Sequence, residues 1–220
     1  MPTLVTMFIL VILVGVLFGV LKVQAKQKAE IRLHLDQTGD AKALALCLQK
    51  KSLRALSTDA ELDDAFVRLA RMQEDKEAMA KALQKMNSHP TPIQLDYLWG
   101  IDRFFYALFV EDDADLMEAV AYTKAVMDSS TAKKKASMLD AMEAVSELVA
   151  PPEAGKIRRE DLLAERVIKA LCAADGMTQV ESKWLVEGLE KRGIVLSDQN
   201  GAKALSIFTT PSEKDEEKAN

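Results

Sequence analysis

Two groups of acidic side chains are the residues best suited to chemistry in this 220-residue chain. Four carboxylates cluster between Glu111 and Asp115, and Asp175 and Glu181 lie on either side of Gly176 in the stretch LCAADGMTQVESKW. Carboxylate oxygens bind hard divalent cations, and paired carboxylates with shifted pKa values can serve as acid and base. Each group therefore raises the hypothesis of a metal site or of a carboxylate-dependent, metal-binding enzyme.

An EF-hand is the first cation site that an Asp-Gly followed by a Glu suggests. If Gly176 took the obligatory glycine position of that loop, the first ligand would be Leu171 and the last would be Ser182. Neither residue supplies the carboxylate required there, so the EF-hand is excluded. Asp175 and Glu181 remain as metal candidates without a recognised loop, and the sequence predicts no cofactor.

Both acidic groups also have a purely structural interpretation at helix ends. Acidic residues are favoured at a helix N-terminus, where Asp112 or Asp113 is suited to cap the backbone amides. In the second group, Gly176 suits a left-handed turn that ends one helix, and Thr178 with Glu181 forms a capping box that begins the next. Apolar residues then line one face of each helix: Leu163, Val167, Leu171 and Ala174 before the turn, and Val180, Trp184, Leu185 and Leu189 after it.

Recognised catalytic patterns are missing elsewhere in the sequence. The two histidines, His34 and His89, are far apart, and no G-x-S-x-G, P-loop or H-E-x-x-H motif occurs. Cys47 and Cys172 lie in apolar helical patterns without metal-ligand spacing, which predicts buried free thiols. The sequence therefore favours a protein that is not an enzyme.

Composition indicates the elements that must position these residues. Hydrophobic residues make up 49% of the chain and aromatic residues 5%, while Gly and Pro number only nine and six. This balance predicts an all-α fold, because sandwiches and barrels need frequent turns and β-branched runs. The formal charge of −5 provides no basic surface for a phosphate backbone, so nucleic acid is not an expected partner.

An apolar run near the N-terminus predicts a transmembrane helix. The run LVTMFILVILVGVLFGVL from Leu4 to Leu21 would extend about 27 Å as a helix, close to the thickness of a hydrocarbon core. Basic residues follow the run and none precedes it, so we expect the N-terminus outside and the C-terminal part in the cytoplasm of a bacterium, anchored in the inner membrane. A cleaved signal peptide is the alternative, since Val23-Gln24-Ala25 loosely resembles a cleavage site.

Within this run, Gly15 and Gly19 have the G-x-x-x-G spacing. Two glycines one helical turn apart leave a flat strip against which a second helix can pack closely. The strip predicts helix packing in the bilayer, including a homodimer of this chain, and its alternative is a pair of lipid-facing glycines without a partner.

The remaining chain divides into segments by composition. We expect a transmembrane anchor at 1–25, a helical domain at 26–149, a linker at 150–159, a C-terminal helical subdomain at 160–208 and a disordered acidic tail at 209–220. The cytoplasmic helices would form a multi-helix bundle or an array of helical hairpins. The segment IQLDYLWGIDRFFYALFV carries about half of the aromatic residues and is the expected central helix of the core.

The segment from Leu162 to Ile194 resembles the Ala-Asp-Gly helix pair of the TerB-like (tellurite-resistance) domains. In that family an apolar helix ends in Ala-Asp-Gly and a glutamate follows five residues later, which corresponds to Asp175 and Glu181 here. Similar domains follow a single membrane span in the DjlA-type co-chaperones. The chain lacks the earlier companion Asp-Gly motif of the TerB-like domains and has no J domain.

Together these features predict a membrane-anchored, non-catalytic adaptor or accessory subunit. Its expected partners are the lipid bilayer and other membrane or cytoplasmic proteins, and the resemblance implies a stress-linked, TerB-like scaffold. A structural subunit of a larger envelope complex is the alternative within the same class, and the metal-binding enzyme is the alternative outside it.

Overall fold

The computed structural model describes residues 2–50, 59–90, 95–127, 129–150, 160–173, 177–194 and 196. In these residues the regular structure is entirely helical, so the predicted all-α fold is confirmed. The α-helices are α1 (Pro2–Leu33), α2 (Ala41–Gln49), α3 (Asp59–Met72), α4 (Lys76–Ser88), α5 (Asp96–Val110), α6 (Asp113–Val126), α7 (Ser129–Val149), α8 (Glu160–Leu171) and α9 (Gln179–Lys191).

Helix α1 has an exposed, apolar N-terminal part and a C-terminal part, which we call its lower end, that packs against the other helices. Among the described residues, the helical stretch Thr6–Thr38 is the one long and apolar enough to cross a membrane, with a mean hydropathy of 2.6 over its best window. Its apolar side chains are open to the surroundings, and Phe18 is 72% exposed. Near the C-terminal end of α1, Ile31 is buried, as is Leu35 just after the helix ends. The helix therefore combines a stretch suited to a bilayer with a stretch that belongs to the folded domain.

A single π-helical turn, His34–Thr38, joins the end of α1 to the next helix. The chain then reverses at Gly39, whose φ of 62° lies in the left-handed region that glycine adopts without steric cost. Asp40 caps α2, because its carboxylate accepts hydrogen bonds from the amides of Lys42 and Ala43 at 3.0 Å. The long N-terminal helix therefore ends at this turn.

Helix pairs that are neighbours in the chain pack as hairpins around α5. Short turns join α3 to α4 and α5 to α6, and each pair is in extensive contact, as are α7 and α8. One hydrophobic cluster runs from Val67 in α3 to Leu196, with Phe104 and Phe105 of α5 completely or almost completely buried. The expected central role of this helix is confirmed, and residues on both sides of the predicted linker share this cluster.

Two of the predicted helix caps are present. Asp112 accepts a hydrogen bond from the amide of Asp115 at 3.0 Å, and Thr178 with Glu181 forms the expected capping box at the start of α9. The prediction that both cysteines are buried is wrong for Cys172, which lies exposed at the end of α8, whereas Cys47 is buried. Gly176, all but the first residue of the 150–159 linker, and the 209–220 tail lie outside the described residues.

Candidate functional site

The lower end of α1 meets the rest of the fold at a buried arginine, Arg68 of α3. Its Nη2 donates a hydrogen bond to the carbonyl oxygen of Leu35 at 3.0 Å and lies 3.3 Å from a carboxylate oxygen of Asp36. On the opposite side, Nη2 lies 3.4 Å from the Thr178 hydroxyl and Nη1 lies 3.5 Å from Glu181 Oε1. We call these five residues the Arg68 network; it joins the π-turn, α3 and the start of α9.

The start of helix α9 holds the Glu181 side chain in position for this network. The second carboxylate oxygen of Glu181 accepts a hydrogen bond from the Thr178 amide at 2.8 Å, so the capping box fixes the side chain. Glu181 is 4% exposed. Burial alone would raise its pKa, but the charges of Arg68 and Lys135 and the hydrogen bonds with Thr178 hold the pKa below its ordinary value. Glu181 is therefore a buried carboxylate ion that pairs with a buried guanidinium.

Two further carboxyl groups, Asp64 and Asp102, lie near Arg68 and have the opposite character. Their side chains share a hydrogen bond, which requires a proton on one of them. Burial and the neighbouring charge of Asp64 raise the pKa of Asp102 well above its ordinary value. Asp102 is 3% exposed, and its Oδ2 finds no hydrogen-bond partner in the described part of the chain. The pair thus retains a proton at pH values where exposed aspartates have lost theirs.

A cavity of about 450 Å³ opens beside these groups, between the lower end of α1 and helices α2, α3, α5, α7 and α9. Its charged lining is balanced in sign, and Tyr97, Ile101 and Leu35 contribute to the rest of its wall. The charged side chains are the bases Lys28, Arg32, Arg68 and Lys135 and the acids Asp36, Glu61, Asp64 and Glu181. Such a balanced surface would favour dipolar or amphipathic groups over a simple anion or cation.

The candidate residues predicted from the sequence have different surroundings. Glu181 lies in the Arg68 network, while its proposed companion Asp175 lies outside the described residues. In the acidic stretch, Asp113 pairs with Arg192 at 3.2 Å and Asp115 pairs with Arg103. These contacts are those expected of capping and helix-packing residues.

The pair of glycines in α1 lies away from this region. Gly15 and Gly19 have no other part of the chain within 4 Å of an added Cβ. Packing of a second helix against them stays a prediction.

Sequence patterns did not predict the Arg68 network. They also did not predict a second group, which consists of Glu30, His34 and Cys47. In the second group the three potential ligand atoms lie within 4.8 Å of one another, although Cys47 is 13 residues from His34. The signal in the sequence is the i, i+4 spacing of Glu30 and His34 followed by a glycine turn. That turn folds α2 back along α1 and so brings the cysteine to the pair.

No family model, curated protein or solved structure matches the chain. The resemblance of residues 162–194 to the TerB-like helix pair therefore stays a prediction, and the function has to be argued from the geometry of the junction.

Replacing Arg68 by methionine should lower the free energy of unfolding by about 3–5 kcal/mol, because Glu181 would become a buried, unpaired charge. Thermal unfolding in detergent, followed by circular dichroism, measures the change. Arg166→Met is the matched control, since Arg166 pairs with Asp140 and Glu147 on the surface and should cost about 1 kcal/mol or less. Adding Glu181→Gln to Arg68→Met should recover part of the lost free energy of unfolding. A double variant whose loss equals the sum of the two single losses would contradict the pairing.

Replacing Asp102 by asparagine should change how stability depends on pH. Because the pKa of Asp102 is raised in the folded state, its favourable contribution is complete below about pH 4 and is lost as pH rises through the raised pKa. Asp102→Asn removes that loss, so its stability relative to the parent should increase with pH from about 4 upward and then level off. Melting temperatures across pH 4–9 test this, with Asp140→Asn as an exposed control. A constant difference over that range would contradict the shift.

Proposed function

We propose that this protein is a membrane-anchored, non-catalytic helical adaptor at the cytoplasmic face of a bacterial inner membrane. The observation that carries the proposal is the continuity of α1. One helix runs from the exposed apolar stretch into the folded domain, where Ile31 and Leu35 are buried and Arg68 binds the π-turn. Because the helix is continuous, the position and rotation of the anchor determine those of the domain. A flexible linker would leave the domain free to turn.

The distance between the bilayer and the domain follows from this continuity. Lys28, which pairs with Glu61 of α3 at 3.3 Å, lies seven positions after Leu21, the last residue of the apolar run. At the rise of an α-helix this separation is about 10 Å. The domain would lie directly at the headgroups, with Lys22 and Lys26 between them. Confinement to that layer raises the effective concentration of any membrane partner.

The distribution of apolar side chains supports partner contacts within the membrane. Outside α1, the large apolar side chains that are exposed among the described residues are isolated: Leu46, Met117 and Leu162. A domain with only scattered exposed apolar groups offers polar surfaces to cytoplasmic partners. The helix itself, with open space at Gly15 and Gly19, is the surface suited to close packing with other membrane helices.

Two versions of the adaptor differ in their partners. A stress-linked, TerB-like scaffold would bind different proteins as conditions change. A structural subunit of an envelope complex would bind a fixed set at constant ratio. The paired state of Glu181 and Arg68 supports a structural use of these charges and favours either version over a carboxylate-dependent enzyme.

The proposed orientation predicts the labelling of Cys172. This thiol is exposed on the domain, whereas Cys47 is buried and provides an internal control. A membrane-impermeant maleimide should leave the protein unlabelled in intact cells and label it once after the inner membrane is opened. Cys172→Ser should abolish that signal. Labelling of Cys172 in cells with an intact inner membrane would place the domain outside and refute the cytoplasmic assignment.

The proposed adaptor role predicts crosslinks from the membrane helix to a limited set of proteins. A photo-crosslinking residue in place of Phe18, at native expression, should capture other membrane proteins, and mass spectrometry identifies them. Gly15→Leu with Gly19→Leu should reduce the yield if the glycine strip is the contact, whereas Leu162→Ala on the domain should not.

Constant partner ratios across growth and stress conditions would favour the structural subunit, and varying ratios would favour the scaffold. Crosslinks to lipid and to this chain alone would contradict the adaptor proposal.

A further inference from the structure

Three side chains that bind transition metals converge where α1 turns into α2. Glu30 lies near the end of α1, His34 follows four residues later at the start of the π-turn, and Cys47 of α2 lies close to both. One ligand atom from each residue lies within 4.8 Å of the other two, and the thiol is buried while the carboxylate and the imidazole are partly exposed. Two separate elements thus supply oxygen, nitrogen and sulfur atoms to one point.

The combination of ligand types determines which ion fits. A thiolate and an imidazole favour borderline or soft transition metals, whereas Mg²⁺ and Ca²⁺ prefer sites made entirely of oxygen ligands. We propose that Glu30, His34 and Cys47 form a zinc-binding site, with three protein ligands and a fourth position open to water or to a partner side chain. Zinc–ligand bonds of about 2.0–2.3 Å hold ligand atoms closer together than 4.8 Å, so zinc binding would draw the three atoms towards one another.

Neighbouring groups support the ligands as outer contacts do in metal sites. His34 Nδ1 lies 3.1 Å from the Thr38 hydroxyl, and a hydrogen bond there leaves Nε2 as the nitrogen available to a metal. Lys50 donates a hydrogen bond to Glu30 Oε2 at 3.0 Å, which leaves Oε1 for the ion. Both contacts orient the ligands before an ion arrives.

The competing explanation is a buried thiol that merely packs beside two polar residues. Leu44 and Leu48 are buried on the same helix as Cys47, and burial together with the charge of Glu30 raises the pKa of the thiol. In that explanation Glu30 and His34 serve only their contacts with Lys50 and Thr38. The two explanations differ in their consequence, because only the zinc site makes stability depend on a metal.

Zinc at this point would connect α1 to α2 across the Gly39 turn. The ion would stabilise the folded junction according to its affinity, since it binds three residues that are assembled only when the turn is formed. This inference is independent of the adaptor proposal: the site can bind zinc whether or not the membrane helix has partners, and partners can be found if it does not.

The test uses the full chain, purified in mild detergent with a histidine-free tag and stripped with a chelator. Zinc should bind at one equivalent per chain and raise the melting temperature, and Mg²⁺ or Ca²⁺ should not compete. Cobalt should give the intense thiolate-to-metal absorption and the d–d bands of a tetrahedral site. Cys47→Ser and His34→Gln should each weaken zinc binding at least tenfold and remove the thermal shift, while Cys172→Ser and His89→Gln should change neither.

Zinc binding that is equal in the parent, Cys47→Ser and His34→Gln would reveal an adventitious ion only and overturn the proposal. A cobalt spectrum without thiolate absorption in the parent protein would do the same and needs no variant. Melting curves of the metal-free variants show whether each has kept its fold; if Cys47→Ser unfolds, the His34→Gln result and the parent cobalt spectrum decide.

Discussion

The burial of one positive charge, that of Arg68, constrains the structure at the point where the membrane-type helix joins the domain. Removing a guanidinium from water is costly unless its charge is balanced and its donors are occupied. The Nη1 and Nη2 atoms of Arg68 have partners, whereas its buried Nε has none among the described residues. Here the acceptors come from segments far apart in the chain: Leu35 and Asp36 of the π-turn lie 33 and 32 residues away, and Thr178 and Glu181 lie 110 and 113 residues away. All three segments must be in place before the charge is satisfied, so the interaction specifies one arrangement of α1, α3 and α9.

The other buried carboxyl groups are less well compensated than Glu181. Glu181 stays ionised because Arg68 pairs with it, whereas Asp102 is buried beside Asp64 with an oxygen that lacks a donor in the described residues. A neutral, well-packed residue at position 102 would avoid that penalty. This penalty falls beside the cavity, whose wall includes the neighbouring Asp64.

The structural features that could be predicted from the sequence are those that depend on residues near one another in the chain. The apolar run of α1 and the caps formed by Asp112 and Thr178 are local, and each is present. The Arg68 network could not be predicted, because a single arginine on an amphipathic helix is ordinarily a surface residue and its partners are distant. Cys172 shows the same limit: its apolar neighbours predicted burial, but the packing of α8 leaves it exposed.

The π-turn His34–Thr38 connects the two features of the junction. A π-helical turn inserts one residue into the α-helical register and so redirects consecutive side chains, which is why such turns are frequent at functional sites. In this turn His34 contributes to the zinc-type group, while the next two residues, Leu35 and Asp36, bind Arg68. An ion held by His34 would therefore restrict the same turn that carries the acceptors of Arg68. Because α1 leads directly into this turn, a change in the turn would change the orientation of the exposed apolar stretch of α1 relative to the domain.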